Sequence, residues 1–213
     1  SAEVEGLGLL GNQSMNLVTA HIPAPGKDDI RRAYRLAIRT LLSLGMTSVH
    51  DTGIDIIEAE VYMSMADDDD LDMRIYAMLS GAGSNLDAIG KPIVGYGRDR
   101  LDIRAVKLYA DGALGSRGAT LLAPYSDDVE NRGLPFYTMN ELHGFVAKAN
   151  NMGFQVGIHA IGDRGNRMAL DAFEKAQGGT ASPLRNRIEQ AQIVAVTDKS
   201  GFDTLGVIAA MQP

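Results

Sequence analysis

Six short β-rich runs, at residues 46–50, 73–79, 103–110, 154–160, 187–193 and 207–211, several of them nearly continuous in apolar residues, constrain this chain more than any other feature. A strand with one face in water alternates apolar and polar residues. Runs like these read instead as strands buried on both faces, which belong to parallel sheets with helical crossovers. The intervening segments supply the helices. Residues 28–44 place Ile30, Ala33, Tyr34, Ala37, Ile38, Leu41 and Leu44 on one face, with Asp28 and Asp29 at the positive end and Gly45 at the stop. Thr138 with Glu141 makes a capping box for a helix that buries Leu142, Phe145, Ala149 and Met152 and ends at Gly153. Residues 166–176 and 197–205 repeat the plan, and 54–66 and 83–98 carry weaker helical patterns. The resulting order is a helix followed by β-α units. It fits an open doubly wound sheet or a (β/α)8 barrel, and a full barrel needs eight strands and usually ~250 residues.

Charge and composition narrow the function. Twenty basic against 27 acidic residues give a net charge of −7, the wrong sign for a phosphate-binding face. No apolar run approaches the ~20 residues needed to span a bilayer, and the N-terminus shows no signal core, so the expected location is cytoplasmic. Without cysteine there is no disulfide, and any metal must be held by nitrogen and oxygen. Six parallel strands leave two unpaired edges, which predicts a homo-oligomer or a longer parent chain that covers them.

Polar groups gather at the C-terminal ends of the apolar strands: His50 and Asp51, Lys107 and Asp111, His159 and Asp163, Glu189 and Gln190, and Gln212. Burying such groups is costly unless they are paired, coordinated or neutralised. By period two, Lys107 shares a face with Ile103, Ala105 and Tyr109. It reads either as a lysine that snorkels or pairs with Asp111, or as an amine whose burial lowers its pKa. Such an amine could form a Schiff base or take up carbon dioxide as a metal-bridging carbamate. His159 reads as a satisfied core histidine or as a metal ligand, with nearby Asp163 setting its tautomer. His50 with Asp51 is a weaker version, while His21 and His143 read as bland. The acidic run Asp67 to Asp70 reads as a solvated helix end. After the third run, residues 111–135 form a long connection holding Gly112, Gly115, Gly118 and Gly133; loops of that length are usually functional or disordered. Its glycine spacing matches neither a dinucleotide fingerprint nor a phosphate loop.

Five stretches, taken in order, resemble the YtcJ-like branch of the metal-dependent amidohydrolase superfamily. They are Thr47-Ser48-Val49-His50-Asp51-Thr52-Gly53, the run from Val106 to Arg117 (VKLYADGALGSR), Ile158-His159-Ala160-Ile161-Gly162-Asp163, Arg187-Ile188-Glu189-Gln190-Ala191-Gln192 and Met211-Gln212-Pro213. The resemblance implies an α/β fold, a parallel TIM-type barrel present here as about six of eight strands. The chain would then be a single partial barrel domain, strands two to seven by the family's count, truncated at both ends and without the family's β-sandwich. It also implies hydrolysis of amide or cyclic amide C–N bonds in a small-molecule substrate, using a divalent metal, zinc by preference. Lys107 matches the family's carboxylated metal-bridging lysine, and His159 the first of its two later metal-binding histidines. Asp111, Arg117 and Gln190 fall at substrate-binding positions. Three departures accompany the match. The family's His-x-His pair would lie before Ser1, Gln190 stands where the second later histidine is expected, and the catalytic aspartate would follow Pro213. The site is therefore expected to be incomplete, with little turnover by this chain alone. The alternatives are a catalytically inactive barrel that binds a small ligand and a Schiff-base lyase using Lys107.

Overall fold

The computed structural model describes Thr19 and residues 21–212; Ser1 and Pro213, which the sequence reading used, lie outside the described residues. In chain order the elements are α1 (Lys27–Ser43), β1 (Ser48–Ile54), α2 (Ile56–Asp67), β2 (Arg74–Ser80), α3 (Ser84–Ile89), β3 (Ile93–Gly95) and β4 (Leu101–Tyr109). They continue with α4 (Met139–Asn151), β5 (Gln155–Ala160), α5 (Asp163–Gln177), β6 (Arg187–Gln190), α6 (Lys199–Leu205) and β7 (Ile208–Ala210).

Six strands pair in parallel in the order β1-β2-β4-β5-β6-β7. The sheet curls. His50 on β1 lies 3.0 Å from Arg187 on β6, Nδ1 to Nη1, although three strands separate them in the sheet order. A flat sheet would hold those strands well over 10 Å apart, given ~4.8 Å between neighbours. This is the α/β architecture of an incomplete TIM-type barrel, concave side inward. Its outer face carries Ile75, Ala77, Leu79, Val106, Leu108, Val156, Ile158 and Ile188 into one core with Leu142, Val146, Ala169, Ala172 and Phe173 of the helices. Phe154 and Phe173 are fully buried, so truncating either to alanine should cost ~3–5 kcal/mol.

Several boundaries differ from the sequence reading for identifiable reasons. The window 83–98 is not one helix; it holds short α3 and the strand β3, antiparallel to β4 through Ile93 opposite Ile103. The weaker pattern at 54–66 is a true helix, fixed by Asp55, which accepts from the Glu58 amide at 2.8 Å while Glu58 accepts from the Asp55 amide at 2.8 Å. The fifth apolar run stops being strand at Gln190 because Gln190 and Ala191 take φ of 81° and 42°, which turns the chain out of the ladder. Helix α5 starts at Asp163 and not near 166, since the Thr120 carbonyl accepts from the amides of Arg164 and Gly165 at 3.1 and 3.2 Å. A distant loop thus satisfies donors that a helix start leaves open. The acidic run at 67–70 is ion-paired: Asp68 and Asp70 meet Arg31 at 2.6 and 3.0 Å, Asp70 also meets Arg35, and Asp69 meets Arg98.

Candidate active site

Parallel pairing of β4 with β5 sets Lys107 opposite Gly157 and Tyr109 opposite His159. Strand alternation then puts Lys107, Tyr109 and His159 on one face of the sheet. Lys107 is only 4% exposed. It does not pair with Asp111; its Nζ sits 3.6 Å above the centroid of the Tyr109 ring, with the Leu108 carbonyl at 3.5 Å. Burial pulls the amine down to about 8, against a smaller opposing pull from Glu189. The ring attracts the ammonium but cannot replace the water that burial removes.

Burial also lowers His159, and the Lys107 charge lowers it further, while Asp111, the Gly112 backbone and Glu189 act in the other direction. A neutral imidazole has a lone pair to offer a metal. The carboxylate beside it is Asp111, 4.0 Å from Nε2, and not Asp163. Asp163 accepts from the amides of Leu122 and Arg164, at 2.8 and 2.9 Å, and so fastens the long loop to the start of α5. On β1 the two neighbours separate as alternation demands. His50 points toward Arg187, whereas Asp51 takes the Tyr62 hydroxyl at 2.8 Å on the helix side.

Asp111 is fully buried. Its Oδ2 accepts from the amides of Thr120 and Gly162, at 2.8 and 2.9 Å, and its Oδ1 from Ile161 at 2.9 Å. Burial pushes its carboxyl up, opposed by those three amides and by His159. The surroundings are built around this knot. A Cβ on Gly162 would lie 2.0 Å from the Thr120 carbonyl oxygen, and one on Gly165 would lie 2.5 Å from Asp111 Oδ2. The 111–135 connection is accordingly an ordered loop, whose far end returns to the end of β4 through Phe136 N–H to Ala110 O at 3.0 Å. Arg117 lies on this loop with its guanidinium on Asp127 at 2.9 Å.

Strand β6 contributes Arg187 and Glu189 to the concave face, with Glu189 in register opposite His159. The pair is close, Nη2 to Oε2 at 3.1 Å and Nε to Oε1 at 2.5 Å, but the second contact lacks hydrogen-bond alignment and leaves Oε1 without a partner among the described residues. The His50 imidazole, stacked obliquely on Tyr76, is lowered by burial and then by Arg187. The concave face therefore carries Arg187, Glu189, His50 and Tyr76 together with Lys107, Tyr109 and His159, with Arg187 level with Lys107 and Glu189 level with Tyr109 and His159. Period-two counting along 187–190 would have revealed Arg187 and Glu189 as one inward pair; no local signal announces that Arg187 reaches across to β1.

The model of the amidohydrolase family (Amidohydro_3) matches residues 2–213. The chain belongs to the amidohydrolase family. Among curated proteins, this amidohydrolase chain is 31% identical to Protein LONG AFTER FAR-RED 3 of Arabidopsis thaliana over 98% of its own length and 38% of that protein. It is 27% identical to the putative amidohydrolase YtcJ of Bacillus subtilis over 82% of its length and 33% of that protein. An uncharacterized metal-dependent hydrolase from Pyrococcus horikoshii OT3 superposes with a TM-score of 0.79 at 29% identity, over 92% of this chain and 39% of the other. The chain thus spans well under half the length of these relatives. No described helix is long and apolar enough to cross a membrane.

The family suggests a divalent metal, and among the described residues two side chains are candidate donors for it. The buried Lys107 amine and the neutral His159 imidazole can supply two donors from adjacent strands. Glu189 is engaged by Arg187, and among the described residues no group of three or more His, Cys, Asp or Glu is placed to hold an ion. A tight zinc site wants at least three protein ligands.

Proposed function

We propose that this chain forms the Lys107–His159 wall of a metal-dependent hydrolase that cleaves non-peptide C–N bonds, amide or cyclic amide, in small molecules. One observation carries the reading: the amine and the imidazole stand on adjacent parallel strands, near the C-terminal ends, on one concave face. That is where barrel enzymes carry their chemistry. At neutral pH an amine drawn toward 8 keeps a usable fraction of free base. The free base adds to carbon dioxide, the new N–C bond forming as one proton leaves, to give a carbamate. Lys107 in that form and His159 would hold the ion, zinc by preference, with further donors from outside the described residues. Bound there, a divalent ion lowers the pKa of water toward neutrality and polarises the amide carbonyl. Asp111 locks the long loop beside His159, Arg187 and Glu189 share the concave face with them, and Arg117 and Gln190 are the proposed substrate contacts.

The test begins with protein expressed from its complete reading frame, with metal content measured by mass spectrometry in the presence and absence of bicarbonate. Lys107→Ala and His159→Ala should each lower metal retention at least tenfold, and amides and cyclic amides should turn over where matched esters do not set the rate. Unchanged metal content in both variants would overturn the reading. Zinc retained stoichiometrically by the 213-residue chain alone would overturn the incompleteness of its site. Gln190, a neutral amide held at φ 81°, favours a second reading, a ligand-binding barrel without catalysis. Ligand-induced stabilisation without turnover of any amide would establish it. Borohydride trapping of a carbonyl compound on Lys107 would point to Schiff-base chemistry instead.

A further inference from the structure

Two aromatic rings stand side by side where the long loop returns to the end of β4. Tyr109 is 39% exposed and Phe136 41% exposed, with ring centroids 6.4 Å apart and planes inclined at 58°. Tyr109 also faces the His159 ring at 5.6 Å and covers the Lys107 amine. Neither ring is exposed by accident of a loose loop. Tyr109 ends β4, and the Phe136 amide is bonded to Ala110 O. The next residue, Tyr137, packs edge-on against Phe145 of α4, with centroids 5.1 Å apart. Chain alternation between these anchors turns Phe136 outward. A single exposed apolar side chain needs no explanation, but a fixed aromatic pair beside perturbed titratable groups in a concavity has the composition of a ligand wall.

We infer that Tyr109 and Phe136 form the specificity wall of this site and receive a flat ring carried by the substrate, so that the amides taken are those with an aromatic substituent next to the scissile bond. The inference rests on the hydrolase reading for the word substrate, but the wall itself can be tested without turnover. A substrate ring can adopt with both side chains the offset or edge-to-face contacts that aromatic pairs prefer at 4.5–7 Å, and a saturated ring of equal size cannot.

Binding is measured by calorimetry or ligand-observed NMR on protein from the complete reading frame, stripped of metal with chelator. The probes are phenylacetamide, cyclohexylacetamide and acetamide. Phenylacetamide should bind roughly five- to tenfold more tightly than cyclohexylacetamide, the increment expected of one or two aromatic contacts. Phe136→Leu, which keeps apolar bulk, should reduce that preference, and Tyr109→Phe, which keeps the ring, should retain it. Equal binding of the two cyclic probes, no binding of either, an unaltered preference in Phe136→Leu, or its loss in Tyr109→Phe would each overturn the wall. The two readings fail separately. Ring-selective binding without hydrolysis of any amide keeps the wall and removes the hydrolase; amide turnover indifferent to the ring does the reverse.

Discussion

Replacing Asp111 with asparagine preserves the side chain's shape and removes one acceptor from a knot that needs both oxygens. In the native chain Oδ2 serves Thr120 and Gly162 and Oδ1 serves Ile161. Asparagine does best with its oxygen in the Oδ2 position, which keeps two of the three bonds. Its NH2 then faces the Ile161 amide, donor against donor. One buried N–H without a partner costs ~1–3 kcal/mol, and the two surviving bonds weaken because their acceptor is no longer charged. Release of the buried carboxylate's desolvation offsets part of this. The expected net loss is ~2–4 kcal/mol, a large share of the ~5–15 kcal/mol typical of a folded domain. The loss should be local before it is global. In hydrogen exchange read by mass spectrometry, peptides covering 111–122 and 160–166 should lose protection first, because the carboxylate joins just these segments. Urea unfolding supplies the magnitude. Stability within ~0.5 kcal/mol of the parent, or faster exchange spread evenly over the sheet, would refute the assignment of Asp111 as the tie between loop and barrel.

Three further perturbations follow from the same geometry. Gly165→Ala, although helix-favouring in itself, should destabilise by ~1–3 kcal/mol, since its Cβ would lie 2.5 Å from an Asp111 oxygen pinned by amides; a more stable variant in thermal melts would contradict this. In protein free of metal and carbon dioxide, Lys107→Met should raise stability at pH 7 by ~1–3 kcal/mol. The folded chain holds this amine near 8 against an ordinary 10.5, so the unfolded chain binds more protons between those values and native stability climbs with pH across that window. The gap between variant and parent should therefore narrow toward pH 10.5, and a pH-independent gap in urea titrations would refute it. Burial pushes Asp70 up, but Arg35 and Arg31 outweigh it and hold the carboxyl below its usual 3.8. Its contribution is present above 3.8 and lost as pH falls through the lowered value, so Asp70→Asn should cost about 1 kcal/mol or less at pH 7 and nothing once the native carboxyl is protonated. A difference that persists in strong acid would show that the ion pairs are not its source.

Much of this molecule was legible in its residues because two periodicities and one register suffice to state it. Several near-continuous apolar runs pointed to parallel strands, the Thr138–Glu141 box to the start of α4, and period two placed Lys107 and Tyr109 on one face. The inward pairing of Lys107 with His159 then needed only that their strands be neighbours, which the pairing of β4 with β5 supplies. What the sequence left undecided concerns groups far apart in the chain. Asp163 looked like the partner of His159 because it is near in sequence, yet Asp111 holds that place from 48 positions away along the chain, on the preceding strand's end. The arginine ties of the acidic run, the start of α5 on the Thr120 carbonyl, and the reach of Arg187 to His50 are of the same kind. Local sequence fixes which face a side chain occupies, since that depends on backbone geometry over a few residues. Which partner meets it there depends on how the sheet curls and where a 25-residue loop is fastened, and those are settled only when the whole set of strands has assembled.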